Sequence, residues 1–450
     1  MNIQFKNRKK ELEELKRIIN SKKFELVILY GRRRIGKTAL ALEVTKHSKR
    51  LYFLATQENN LERFYNLCIK HFPEVSKLKQ DFEVLFEFLK DRVDVIIIDE
   101  FQNMIKENKN IVSLFQAIID QILSKTKVKL FLLGSSVSMI SSRVLNYQSP
   151  LYGRRTASIK LKGIKFKNLK EFFPKANFEE LMNIYGFADG IPFYLIKIDK
   201  QFFNWLNKEI EKETSFLKDE IDFLMRYEFE DVSTYKLILK AIAFGKTKIN
   251  EIKDFLKIKR TDITPYIKNL IETDFIERVV PLTENIKSRK GRYFLKDNFL
   301  KFWFRFIYPN LSSIEEATFD VSAIKKEYNT YLGFVFEDVC KELIKELRFF
   351  NYTKLGKWWH KDKEIDILAI NDSTKHLLAC ECKWQHKINA EKIAKEIVEK
   401  LSYVDWHNKK RKESLAIFAK SFSKRITSYE GRKVYCYDLR DLERAVKQKI

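Results

Sequence analysis

Gly31-Arg32-Arg33-Arg34-Ile35-Gly36-Lys37-Thr38 fits the pattern GxxxxGK[ST]. In front of it stands the apolar run Leu26-Val27-Ile28-Leu29-Tyr30, which reads as a buried strand, and a helical pattern starts near Lys37. Strand, loop and helix in that order make a phosphate cradle. The two glycines let the backbone wrap an anion, and the helix N-terminus aims N–H groups at it. Residues Arg32, Arg33, Arg34 and Ile35 form the loop between them. Lys37 then reaches the β- and γ-phosphates of a nucleoside triphosphate, and the Thr38 hydroxyl takes Mg²⁺. The stretch predicts an α/β fold built on a parallel sheet, with a nucleoside triphosphate as ligand.

Composition bounds the rest. A chain of 450 residues predicts roughly three domains, and 45% hydrophobic residues are enough for several cores. Lys and Arg number 86 against 61 Asp and Glu, a net charge of +25. Such an excess predicts a polyanionic partner, most often nucleic acid. Solubility, a Lys- and Ile-rich genome, or the charged networks of a thermophile are its rival sources. Five cysteines, without a CxxC pair, fit a reducing cytoplasm. Cys380 and Cys382, two apart, read as packing on one strand face. No signal-like apolar region opens the chain and no apolar run approaches about 18 residues, so neither export nor a membrane span is expected.

The apolar run Val95-Ile96-Ile97-Ile98 ends in Asp99-Glu100. A β-branched run buried on both faces suits a central parallel strand, and ligands of open α/β sheets gather at the carboxyl ends of such strands. Asp99 is the expected Mg²⁺ partner and Glu100 the base that polarises the attacking water. Lys129-Leu130-Phe131-Leu132-Leu133 then runs into Gly134-Ser135-Ser136, either a γ-phosphate contact or an ordinary strand-ending turn. Pro150-Leu151-Tyr152-Gly153-Arg154-Arg155 precedes the probable strand Thr156–Ile159. An arginine offered there to a neighbouring subunit would stabilise transition-state charge, which predicts a homo-oligomer; a solvated basic turn is the alternative.

Phe5-x-x-Arg8-x-x-Glu11-Leu12, the phosphate loop, Ile98-Asp99-Glu100-Phe101-Gln102, Leu133-Gly134-Ser135-Ser136 and Leu151-Tyr152-Gly153-Arg154-Arg155 together resemble the archaeal ATPase family, of the AAA+-related branch of STAND-type P-loop ATPases. The resemblance implies that Arg8 lies near the base or ribose, that Ser135 is a sensor and that Arg154 or Arg155 is the finger. Gly190-Ile191-Pro192-Phe193-Tyr194-Leu195 matches a turn that the family carries in its helical lid.

Residues 161–230 read as that lid. Amphipathic segments near Thr234–Phe244, Ile249–Leu256 and Asp262–Ile271, then β-like pieces at Phe275–Val280 and Arg292–Leu295, give the plan of a winged helix-turn-helix over 231–298. Thr261 or Asp262 would cap the third helix, with Pro265 in its first turn. Lys257, Lys259, Arg260 and Lys268 surround it, and Lys287, Arg289, Lys290 and Arg292 fill the wing. Phosphate contact and a purely protein-binding wing both fit these charges. The aromatic stretch Phe299–Tyr308 predicts core or interdomain packing, and Leu311–Ser322 a linker.

At the C-terminus, Glu364-Ile365-Asp366-Ile367-Leu368-Ala369-Ile370 alternates, turns at Asp372–Lys375, and returns as His376–Trp384. A four-residue loop pairs Asn371 with His376, Asp366 with Glu381 and Glu364 with Lys383, all on one face. Two carboxylates about 5 Å apart would hold a divalent cation, and Lys383 would orient or deprotonate water. Plain salt bridging is the alternative. The constellation Asp-x14-Glu-x-Lys resembles the PD-(D/E)XK nuclease superfamily. That resemblance makes Asp366 and Glu381 metal ligands, Lys383 the catalytic lysine, and Glu337, in Tyr331–Glu337, a further acid. Ile365 stands where the superfamily often has proline.

The expected architecture is an ATPase core over 1–160, lid, winged helix, an aromatic helix with linker over 299–325, and a restriction-endonuclease-like mixed-sheet α/β domain over 326–450. The expected function is ATP hydrolysis coupled to Mg²⁺-dependent action on nucleic acid. The alternative is an ATP-gated DNA-binding or signalling switch whose nuclease-like domain is inactive.

Overall fold

The computed structural model describes residues 5–199, 201–258, 262–408 and 410–447. The chain folds as two compact units. The first runs to Ile164 and takes in Ile191–Phe193 and Glu272–Asp274. The second holds Lys165–Gly190, Tyr194–Ile271 and the chain from Phe275 onward.

In the first unit, β1 (Glu25–Tyr30), β2 (Arg50–Leu54), β3 (Val95–Asp99), β4 (Lys129–Gly134) and β5 (Ala157–Lys160) form one sheet in the order β2-β3-β4-β1-β5. Every pairing is parallel. Strands β1, β3 and β4 are apolar almost without interruption and buried on both faces, as parallel strands covered by helices must be. Phe64, Phe86, Phe101 and Phe115 pack in the same core. The register sets Leu29 beside Leu133 and Ile98 beside Leu132. The cradle after β1, the acids ending β3 and Ser135 after β4 therefore leave the sheet at one edge.

In the second unit, the helices Phe178–Ala188, Phe202–Glu211 and Glu220–Glu228 occupy the expected lid region. The helices Ser233–Ala243, Ile249–Phe255 and Thr264–Glu272 are followed by the antiparallel ribbon of β6 (Ile276–Val279) and β7 (Arg292–Leu295). Asp262 accepts a bond from the Thr264 amide at 2.9 Å; Lys259, Arg260 and Thr261 lie outside the described residues. Phe299, Phe302, Trp303, Phe304 and Phe306 are buried, and the Trp303 indole donates to the Leu217 carbonyl at 2.6 Å. Burial of those rings supplies apolar area that an exposed stacking platform would forgo. The expected linker is shorter than its sequence suggests: Leu311–Glu315 is helical, and the long helix Ser322–Leu347 runs through residue 326.

The C-terminal strands are β8 (Lys354–His360), β9 (Lys363–Asn371), β10 (His376–Lys383), β11 (Ile388–Asn389), β12 (Lys412–Ala419), β13 (Phe422–Lys424), β14 (Ser428–Tyr429) and β15 (Arg432–Tyr437). Six of them make a mixed sheet, β14-β15-β12-β10-β9-β8, and β11 pairs with β13 apart from it. Strand β10 runs antiparallel to β9 and parallel to β12. The helix Ala390–Leu401 lays Ile393, Ala394 and Ile397 on this sheet. Its start is fixed by Asn389, whose side chain accepts from the Glu391 amide at 3.0 Å.

Candidate functional site

The cradle is built by backbone shape before side chains matter. Gly31 has φ +150° and Gly36 φ +90°, and a Cβ on Gly31 would sit 2.5 Å from the Leu161 carbonyl oxygen. The loop thus needs glycine for both conformation and close approach. Gly36 opens the helix Lys37–Val44. Lys37 is buried, its ammonium donating to the carbonyls of Gly31 and Arg32 at 3.0 Å each. Arg34, itself at φ 68°, places its guanidinium 3.7 Å over the Phe193 ring. Arg8 is buried and braces the loop, donating to the Ile35 carbonyl at 3.1 Å and to Glu11 at 3.3 Å. That is a loop-holding geometry for Arg8. Burial lowers the pKa of its guanidinium, against the pull of Glu11.

Thr38 and Asp99 meet directly, hydroxyl to carboxylate at 2.5 Å. The same Asp99 oxygen accepts from the Tyr52 phenol at 3.0 Å. Asp99 is buried, which raises its carboxyl pKa, and Glu100 adds to that while the Thr38 bond opposes it. A hydroxyl from the first turn of the helix after the cradle and a buried carboxylate at the end of β3 are the donor set that Mg²⁺ takes in such sites. Glu100 stands in the left-handed region at φ 55°. Its carboxylate accepts from Ser135 and from Gln102, and Gln102 closes the triangle by donating to Ser135 Oγ at 3.2 Å. The Ser135 amide returns a bond to Gln102 Oε1 at 3.3 Å. The base and the γ-phosphate contact expected separately from sequence are therefore one hydrogen-bonded group.

The two arginines are engaged within the first unit. Arg154 grips Asp120 with two bonds of 2.7 Å, and Asp120 is held below the usual carboxylate range by that bond. Arg155 lies 4.4 Å over the Tyr152 ring and reaches the Leu145 carbonyl at 3.4 Å.

In the second unit, β9 and β10 adopt the expected register from Asn371↔His376 down to Ile367↔Cys380. The ladder stops there. Asp366 does not face Glu381 as a strand pair; its carboxylate accepts from the Cys382 amide at 2.8 Å. Glu364 leaves the expected face altogether, pairing with Arg292 at 3.3 Å. Beyond the ladder β9 belongs to β8, whose register shifts between Gly356 and Trp358. That bulge turns the strand and re-aims its side chains.

Glu381 is almost fully buried, and each of its oxygens takes a lysine at 2.7 Å, Lys383 on one and Lys400 on the other. Glu337, from the helix Ser322–Leu347, is ion-paired with Lys357 of β8. Burial pushes the Glu337 carboxyl up to about 8, with Asp366 adding and Lys357 opposing. Burial likewise pushes Asp366 up to about 6, with Glu381 adding and Lys383 opposing. Burial holds both acids above their ordinary range, Glu337 even against its Lys357 partner, and a divalent cation beside such an acid would favour its charged form. Asp366 fits that part. Glu381 is already matched by lysines, and among the described residues no three His, Cys, Asp or Glu side chains gather to cage a metal. The structure thus brings Asp366, Glu381 and Lys383 together, with Glu337 electrostatically joined to Asp366, without assembling the three-carboxylate cage expected from sequence.

Tyr52, Gln102, Lys357 and Lys400 were not singled out by sequence reading. Gln102 had a signal, two residues beyond Glu100; the other three enter through tertiary neighbours.

The wing is a further departure from a simple DNA-reading element. The Leu282 amide donates to the Lys357 carbonyl of β8 at 2.9 Å, and the Trp359 indole donates to the Lys290 carbonyl at 3.2 Å. Arg292 lies 4.6 Å over Trp359. Of the four wing cations, Lys290 is paired with Glu284 at 2.5 Å and Arg292 with Glu364, while Lys287 and Arg289 remain exposed.

Residues 5–198 match a family described as an ATPase domain predominantly from Archaea, and residues 303–397 match one of archaea bacterial proteins of unknown function, DUF234. Over 445 residues the chain is 50% identical to the uncharacterized protein MJECL04 of Methanocaldococcus jannaschii, covering 97% of this chain and 99% of that one. A stretch of 47 residues, 10% of this chain and 80% of the other, is 51% identical to the uncharacterized ATP-binding protein MJ0423 of the same organism. Among solved structures, the Walker-type ATPase PABY2304 of Pyrococcus abyssi superposes with a TM-score of 0.51 at 20% identity, over 67% of this chain and 96% of that one. The likeness is one of fold, a parallel α/β sheet with its cradle; beside it the present chain carries a separate C-terminal mixed sheet.

Proposed function

Since this chain belongs to the family of MJECL04 and carries in residues 5–198 the predominantly archaeal ATPase domain, we propose that it hydrolyses ATP at the cradle and uses that cycle to control action on nucleic acid. The observation that carries the first half is the meeting of Thr38, Asp99, Glu100 and Ser135 at one sheet edge. Lys37 turns from the Gly31 and Arg32 carbonyls to the β- and γ-phosphates. Thr38 and Asp99 hold Mg²⁺, which when bound offsets charge on the phosphate oxygens. Ser135 trades Glu100 for a γ-phosphate oxygen, and Glu100, freed of that bond, accepts a proton from the attacking water. Arg154, to serve a neighbouring copy as a finger, has to leave Asp120. Lys37→Ala is the test: ATP hydrolysis is expected to fall about 100-fold or more. Hydrolysis at the wild-type rate would sink the assignment.

For the second half, Asp366, Glu381 and Lys383 support phosphodiester hydrolysis of the PD-(D/E)XK kind. Asp366 would take the cation, which supplies an activated water, and Lys383 would orient that water. The exposed Thr264–Glu272 helix, with Lys268 on it, supports DNA contact better than the docked wing does. A second reading has its own observation: Glu381 is saturated by Lys383 and Lys400, as in a domain that binds without cutting. In that reading the chain is an ATP-gated, STAND-like switch. Linear and circular, single- and double-stranded DNA incubated with Mg²⁺ or Mn²⁺, with and without ATP, separates the two. Cleavage by wild type and none by Asp366→Ala is the expected result. Intact DNA throughout, from protein that still hydrolyses ATP, favours the switch.

A further inference from the structure

Arg34 holds a backbone conformation that L residues rarely adopt. Its φ of 68° lies in the left-handed region, where a side chain crowds its own backbone. The position stands in the middle of the phosphate loop, three residues after Gly31 and two before Gly36. Glycine takes that shape freely. Another residue persists there only where its surroundings over-determine it, so arginine calls for an anchor.

Phe193 supplies one. The Arg34 guanidinium lies 3.7 Å over the Phe193 ring, and both residues are half-buried. A cation so placed is attracted by the ring's quadrupole, more strongly as water is excluded. Beside it, Pro192 Cγ lies 3.8 Å from where a Cβ on Gly36 would sit, and Ile191 is buried. The first unit takes in Ile191–Phe193 from that stretch of the chain, and the segment meets the loop at both Arg34 and Gly36. These contacts do not involve the phosphate-binding groups. Lys37 also braces the loop, through the Gly31 and Arg32 carbonyls, but those bonds are given up when it turns to the phosphates. Arg8 on the Ile35 carbonyl and Phe193 under Arg34 are supports that this turn leaves in place.

We propose that Phe193 is a positioning residue for ATP: stacked under Arg34, it holds residue 34 left-handed and so keeps the cradle in its nucleotide-binding shape. The inference rests on the reading of the cradle above and adds to it a residue that acts through the loop rather than on the ligand. Without the ring, residue 34 relaxes towards negative φ, and the loop spends part of its time out of shape for an anion. Apparent affinity falls by the fraction of molecules so lost. Chemistry at Glu100 is unaffected once nucleotide is bound. The need for the ring comes from a side chain forced into a left-handed backbone, so it disappears when residue 34 is glycine.

The experiment measures Mg·ATP affinity by titration calorimetry and steady-state ATP hydrolysis on the full-length chain. The variants are Phe193→Leu, Phe193→Tyr, Arg34→Gly, Arg34→Ala and the double change Arg34→Gly/Phe193→Leu. Phe193→Leu is expected to raise Kd and KM about 3- to 30-fold, the fold-change that a cation–π contact carries, with kcat held. Phe193→Tyr keeps the ring face and is expected to stay within about two-fold of wild type. In the Arg34→Gly background, Phe193→Leu is expected to change Kd by less than about two-fold. Arg34→Ala keeps the left-handed strain without the guanidinium and is expected to bind more weakly than Arg34→Gly, a comparison that does not depend on how well the Phe193 variants fold. Wild-type Kd and KM in Phe193→Leu overturn the inference. So does an equal loss in both backgrounds, which makes Phe193 a packing residue independent of Arg34, or a fall in kcat at unchanged KM, or tighter binding by Arg34→Ala than by Arg34→Gly. Wild type that neither binds nor hydrolyses ATP overturns the reading of the cradle, and this inference with it.

Discussion

Asp99 takes two hydroxyls on a single oxygen, Thr38 and Tyr52, and the second of these reaches it from the neighbouring strand. Tyr52→Phe removes that donor without changing the ring. Its expected effect is a loss of about 1 kcal/mol, roughly five-fold, in Mg·ATP affinity, read by nucleotide titration. Gln102→Ala is expected to act on rate instead. With one support gone, Glu100 is misplaced, and kcat falls roughly 10- to 100-fold while KM holds. Tyr52 was not legible from the chain alone. Tyr52 lies 47 positions from Asp99 and reaches it because β2 runs beside β3; a tyrosine in an alternating strand carries no mark of its partner. Lys37, Thr38, Asp99 and Glu100 stand out in the chain because strand then loop, or strand then acid, is a local order. Asp366 offers a pH-dependent readout. Its folded-state pKa of about 6 exceeds the ordinary carboxyl range, so ionisation is what costs stability. The protonated form's contribution is complete below about pH 4 and is lost as pH rises through about 6. Asp366→Asn is therefore expected to raise the melting temperature at about pH 8, by the equivalent of at most about 3 kcal/mol, with the difference vanishing near pH 4. Equal melting curves at both pH values would mean that burial does not strain this acid.

The phosphate loop as an element depends on Gly31 more than on its arginines. A β-carbon there meets the Leu161 carbonyl at 2.5 Å with φ at +150°, so relief requires the backbone itself to move. Gly31→Ala is expected to cost about 1–3 kcal/mol by chemical denaturation and to abolish nucleotide binding; normal binding would show that the loop tolerates another path. The β9–β10 hairpin was readable to within its turn, because alternation and a four-residue polar loop define the register at the loop end. Its far end was not. Where β9 parts from β10 while staying on β8 coincides with a register shift between Gly356 and Trp358, contacts that no local pattern encodes. The consequence is specific: the carboxylate pair expected across the hairpin becomes an Asp366 carboxylate on a backbone amide and a Glu381 carboxylate on two lysines. The helix Leu311–Glu315 escaped notice for a simpler reason, being too short to show a period.

Across the molecule, the parallel sheet near the start and the separate C-terminal mixed sheet follow the sequence, since each change of hydrophobic period marks a change of element. The charge excess is less transparent. Part of it is spent inside the second unit, Arg292 on Glu364 and Lys357 on Glu337, so the count of cations overstates what a polyanion meets. The docked wing also bears on how this protein stays dispersed. Strand β8 is the last in its sheet, and a terminal strand offers free amides and carbonyls to any passing chain. Leu282 takes the Lys357 carbonyl and tucks its side chain into the sheet's core, while Trp359 fastens the wing at Lys290. A loop shaped like a reader of DNA thus doubles as a hem, closing the border along which these sheets would otherwise stitch together. Leu282→Asp, which unseats the hem, is expected to give concentration-dependent association by light scattering, with the ATPase rate untouched.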